Sequence, residues 1–111
     1  MTDTATTTDA ARELALFTAN NERAWRAVEH VLRNYERKRA RGTYCPKLAR
    51  KGMLHPVTMA ARDYAREYGA PDDQWFVLFT PSDRAQAAAI IMADAETEWS
   101  AGNYWGEKPC P

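Results

Sequence analysis

Three capped amphipathic stretches, set against one short strand-like run with no partner, predict an all-α chain: a small single-domain helical bundle of about four helices, one of them kinked or broken near Pro56, with an irregular C-terminal tail. The 111 residues suit one domain, because two cores drawn from that length would each be marginal. Hydrophobic residues make up 45% of the chain and charged residues 27%, so it has enough apolar surface to order a core. The expected boundaries are a disordered leader over 1–8, a helical domain over 9–100 and the tail over 101–111.

The first helix is expected from Ala10 to about Phe17, capped by Thr8 or Asp9, with Leu14, Leu16 and Phe17 as its apolar residues. The Asn20-Asn21 pair ends it. Either Asn can cap the second helix, because a short amide side chain reaches the free N–H groups of a first turn. That second helix, Glu22 to about Arg41, carries Trp25, Val28, Val31, Leu32 and Tyr35 at the spacing of one buried stripe. Its acidic start and its basic end at Arg37, Lys38, Arg39 and Arg41 both suit the helix dipole, and Gly42 fits the position after its end. Pro46 opens a third segment to Met53, which Gly52 and Pro56 interrupt, since Pro56 cannot donate to residue 52. Helix resumes from Pro56 to Tyr68 and stops at Gly69. The run Gln74 to Phe79 reads as a buried extended or single-turn linker, with Trp75, Phe76 and Phe79 as core filler. Thr80-Pro81-Ser82-Asp83 starts the last helix, to about Trp99, with a stripe of Ala88, Ile91, Ala95 and Trp99 and Met92 alongside. Trp25, Val28, Leu32, Tyr64, Ile91 and Trp99 are expected to meet in one core. Truncating Trp25 costs about 3–5 kcal/mol if its ring is fully buried.

The formal net charge is zero, yet the charge is segregated. Residues 33–51 hold eight cations against Glu36 alone, a net +7, and residues 67–111 hold eight acids against Arg84 and Lys108, a net −6. The basic block is expected to form one exposed face around the Gly42 turn, built from Arg33, Arg37, Lys38, Arg41, Lys47, Arg50 and Lys51, with Tyr44 beside them as an aromatic contact. The alternative is a solvated helix end neutralised by the acidic last helix. A free basic face suits an acidic protein partner or nucleic acid, although a whole-chain charge of zero is low for a typical nucleic-acid binder. Aromatics Trp99, Tyr104 and Trp105 either fold back or offer a patch to a partner.

Catalytic signals are sparse. Cys45 with His55 is the one thiol–imidazole candidate, and no third residue is evident to orient His55. Those two, with His30 and Cys110, are all the soft metal ligands, and none forms a close zinc-type pair. The glycines are scattered and cradle no phosphate, and the sequence points to no cofactor. No apolar run approaches the roughly 20 residues of a membrane span. The Thr-rich start has neither the charged nor the apolar region of a signal peptide. A cytoplasmic location follows as an expectation; it argues against a Cys45–Cys110 disulfide, which the sequence itself leaves open.

The segment KRARGTYCPKLARKG followed by AARDYAREYG resembles small helical proteins encoded by bacteriophages and related mobile elements. In these a basic helix end leads to G-T-Y, a short turn, a helix and then A-A-x-x-Y-x-x-E-aromatic. The matching residues are Lys38, Gly42, Thr43, Tyr44, Ala60, Ala61, Tyr64, Glu67 and Tyr68, with Pro81 and Arg84 at a later helix start. The chain departs from the pattern at Cys45, where an acidic residue is common, and at Pro56. The resemblance implies a helical fold and a mobile-element origin, and it transfers no site residues. An interaction protein that is not an enzyme is thus the leading expectation, with a small Cys45–His55 enzyme as the alternative.

Overall fold

The computed structural model describes residues 7–69 and 75–102. Within them lie five helices: α1 (Asp9–Asn20), α2 (Glu22–Ala40), α3 (Pro46–Glu67), the single turn α4 (Trp75–Leu78) and α5 (Pro81–Gly102). The chain is a small all-α domain, as the capped stripes predict. Of the expected tail over 101–111, residues 101 and 102 belong to α5 and 103–111 lie outside the described residues; of the expected leader over 1–8, residues 1–6 lie outside them, while Thr8 caps α1.

The helix starts are set by side chains near in sequence. The Thr8 hydroxyl accepts from the Ala11 N–H at 3.0 Å and caps α1. Asn21 serves two helices: its N–H donates to the Thr18 carbonyl at the end of α1, and its side-chain oxygen accepts from the Ala24 N–H at the start of α2. At α5, the Asp83 N–H donates to the Thr80 hydroxyl while the Asp83 carboxylate accepts from the Thr80 N–H, both at 3.1 Å, a reciprocal cap. The Thr8 hydroxyl donates to that carboxylate at 2.7 Å, so the starts of α1 and α5 are tied together. Glycines at positive φ follow two helix ends, Gly42 after α2 (φ 74°) and Gly69 after α3 (φ 79°).

α3 is the central helix and packs on all four others, while α1 packs on α2, α3 and α5. Its buried Ala49, Ala60, Ala61 and Ala65, with Ala87 and Ala88 of α5, let the backbones approach closely. Leu14, Val28, Met53, Val57 and Met92 fill the space between. The six expected core residues share one cluster. Val28 and Ile91 are buried, and Trp25, Leu32, Tyr64 and Trp99 are partly buried against it. Trp25 is not enclosed, so its truncation costs less than the fully buried figure. The buried Thr18 hydroxyl is satisfied by the Leu14 carbonyl at 2.7 Å.

Two expectations change. Of the kink or break expected near Leu54-His55, the break does not occur; the helix runs on through Pro56 as one 22-residue element. Pro56 and Val57 are fully buried, and that packing offsets the lost backbone hydrogen bond. The QWFVLF run is not all core filler either. Phe79 is buried, but Phe76, Val77 and Leu78 are exposed on α4.

Gly52 explains how α2 meets α3. A Cβ there would lie 2.3 Å from the Tyr35 hydroxyl, which donates to the Leu48 carbonyl at 3.2 Å. Inside a helix, Gly→Ala is ordinarily worth about +1 kcal/mol of stability. Here Gly52→Ala should destabilise, because the Tyr35 ring must leave its seat. In a Tyr35→Phe background the same substitution should cost less, because the hydroxyl at 2.3 Å is gone while ring carbons at 3.1 and 3.2 Å remain, and denaturant unfolding of the four-member cycle reads the difference directly.

Candidate functional site

The site is built on the charged surfaces of α2 and α3. Arg33, Arg37, Lys38, Arg41, Lys47, Arg50 and Lys51 are all exposed, and among the described residues none of them is ion-paired to a carboxylate. The acids of α5 do not neutralise them. Glu96 accepts a hydrogen bond from the Tyr44 hydroxyl at 2.5 Å, and Asp94 and Glu98 border a groove against α1 and α2.

The cations do not form one face. Tyr35 turns toward α3 through its contacts with Leu48 and Gly52. At roughly 100° per residue, Arg33 and Arg37 then lie about 160–200° around α2 from it, on the side away from α3. Lys38 stays nearer, its ammonium 5.7 Å from the Tyr35 ring centre. On α3, Lys47, Arg50 and Lys51 line a shallow hollow with Leu54 and with Ala85 and Ala89 of α5. The predicted block is therefore two patches, because the Tyr35 contact fixes the rotation of α2 on α3.

Tyr44 does not belong to either patch. It is 0% exposed, the largest fully buried side chain among the described residues, with its ring edge-on to Trp99 (centroids 5.7 Å apart) and to Tyr35 (6.1 Å). The Arg39 guanidinium lies 5.7 Å from the Trp99 ring centre. Tyr44 anchors the turn between α2 and α3 to the far half of α5; it is not a surface contact. Tyr104 and Trp105 lie outside the described residues.

Continuity of α3 through Pro56 extends the basic surface beyond the predicted block. Exposed Lys47, Lys51, His55, Arg62 and Arg66 recur at spacings of four, four, seven and four, which places them along one side of the helix over about 28 Å. Arg66 also reaches Asp63 at 3.4 Å, and Asp63 holds Arg23 of α2 at 2.9 Å. The helical spacing of these residues was present in the sequence but was hidden by the kink or break expected at Pro56.

The thiol–imidazole alternative loses its geometry. Cys45 caps α3, is buried at 6% exposed and is disulfide-bonded, contrary to the expectation from a reducing compartment. His55 is exposed ten residues further along, about 15 Å up the helix axis. Cys110 lies outside the described residues. Among the described residues no group of three or more His, Cys, Asp or Glu is placed to hold a metal ion, and no helix is long and apolar enough to cross a membrane.

Beneath α3 a second polar contact locks its far end. The Tyr64 hydroxyl donates to Glu13 of α1 at 2.5 Å, and this bond, with burial, pushes its pKa up to about 12. Phe17 and Phe79 meet the Tyr64 ring edge-on at 5.1 and 5.0 Å. No family model matches the chain, and neither does any characterised protein or solved structure.

Proposed function

We propose that the protein is an interaction protein that binds an acidic partner protein along the basic side of α3, with no catalytic role. The observation that carries this reading is the line of exposed basic residues on one uninterrupted helix, with the acids of α5 placed away from it: Glu96 accepts from Tyr44, and Asp94 and Glu98 border the groove against α1 and α2. Like charges held this close repel one another, and an anionic surface offsets that cost. An acidic protein is favoured over nucleic acid for two reasons. The whole-chain charge is zero. The aromatics nearest the block, Tyr35 and Tyr44, are packed inward and offer no stacking platform. Half-exposed Leu48 adds an apolar contact of the kind protein interfaces use. A mobile-element accessory protein is our proposal for its setting, and the disulfide at Cys45 suits an oxidising compartment rather than the cytoplasm.

The test compares the full chain with Lys47→Glu/Arg50→Glu/Lys51→Glu and with Arg33→Glu/Arg37→Glu, using polyglutamate and duplex DNA as probes. All the changed side chains are exposed, so far-UV circular dichroism should stay unchanged. The α3 variant should lose polyglutamate binding and the α2 variant should keep most of it. Binding should weaken steeply between about 0.05 and 0.5 M salt as the Debye length shrinks. Tighter binding to DNA than to polyglutamate would move the reading to nucleic acid. Binding to neither probe would remove it.

A further inference from the structure

α1, α2 and α5 border an apolar groove of about 360 Å³, to whose lining α3 contributes no residue. Its floor is α1, where Leu16 stands 65% exposed; Trp25 and Leu32 of α2 form one wall, and Ile91 and Trp99 of α5 the other. We infer that this groove docks a basic amphipathic helix of a partner protein, independently of the α3 surface and with the opposite charge preference.

Shape is the first argument. The lining positions run from Arg12 to Ala19 on α1, Trp25 to Leu32 on α2 and Ile90 to Trp99 on α5, so each side is about two to three turns long. A trough bounded by helices over that length accepts the apolar stripe of another helix. Composition is the second. Isolated exposed apolar residues are ordinary, but Leu16 sits beside two partly buried tryptophans on one continuous apolar surface. Charge is the third, and it selects the occupant. Asp94 and Glu98 stand one turn apart on the rim, both exposed, and among the described residues neither is ion-paired. The rim's cation, Arg12, is already paired with Asp9 at 2.6 Å. Glu98 also sits near the C-terminal end of α5, where a carboxylate opposes the helix dipole and the last turn carries no basic residue. A helix with Lys or Arg one turn apart beside its leucines answers both carboxylates.

The test is calorimetric titration of the full chain with a synthetic Leu/Lys amphipathic peptide of about 16 residues, roughly four turns. Leucines occupy i, i+3, i+4 and i+7, and a Leu/Glu peptide of the same pattern is the control. The Leu/Lys peptide should bind and the Leu/Glu peptide should not. Leu16→Glu should weaken binding about tenfold or more, and so should Asp94→Lys with Glu98→Lys. The second variant guards against a fold effect of the first. Equal binding of both peptides, or binding that neither variant alters, would overturn the inference. So would sedimentation showing a dimer that Leu16→Glu makes monomeric, because a second copy would then cover the groove.

Discussion

Tyr44→Ala should cost about 3–5 kcal/mol, the range for removing a fully buried aromatic ring. Tyr44 has no exposed surface, and three side chains from two helices converge on it: the Tyr35 ring of α2, and the Trp99 ring and Glu96 carboxylate of α5. Removing the ring leaves a void where the turn after α2 is fastened to the far half of α5. For a domain of this size the loss corresponds to a fall in Tm of roughly 12–20 °C or more. Tyr44→Phe keeps the ring and removes the donor to Glu96, and should cost about 1.5–3 kcal/mol, the worth of a hydrogen bond to an ionised group. Urea unfolding of the two variants separates the packing part from the polar part. A Tyr44→Ala variant within about 1 kcal/mol of the parent would show that Tyr44 is not enclosed in solution.

Asp83→Ala should cost about 2–3 kcal/mol, through loss of the α5 cap and of the tie to α1. The Asp83 side chain accepts from the Thr8 hydroxyl and the Thr80 N–H, and its removal leaves both donors short of a partner. The effect depends on pH with a definite sign. The Thr8 hydroxyl bond, with those from Thr80, holds the Asp83 pKa below the usual aspartate value despite burial. A carboxylate whose pKa is lowered on folding stabilises above its unfolded value, near 3.9, and that stabilisation is lost as pH falls through the folded value. Parent and Asp83→Asn should therefore differ most at neutral pH and converge below about pH 4. Denaturant midpoints measured at several pH values check this, and a gap that widens in acid would contradict it.

What could be read from the sequence was what is decided locally. Asn21, Thr80-Pro81 and Asp83 mark helix starts because capping needs only residues within three or four positions, and the stripe of α2 follows from spacing alone. What could not be read depends on distant partners. Tyr44 sits among lysines and arginines in the sequence, yet its burial is set by Trp99 and Glu96, more than fifty positions away. Pro56 carries a strong local bias against helix, which core packing of Pro56 and Val57 overrides. Two short helices share no face, whereas one continuous α3 aligns Lys51 with His55, Arg62 and Arg66. The rotation that parts Arg33 and Arg37 from the α3 cations follows from the fit of Tyr35 against Gly52, a contact no periodicity reveals.

The central claim is that α3 carries the binding surface along its whole length. It is tested most directly by following backbone amide NMR shifts of the full chain during titration with polyglutamate at low and at high salt. The account predicts shifts concentrated at Lys47, Lys51, His55 and Arg62, little change at Arg33 and Arg37, and loss of the effect at about 0.5 M salt. Shifts centred on Arg33 and Arg37, shifts that survive high salt, or none at all would contradict it.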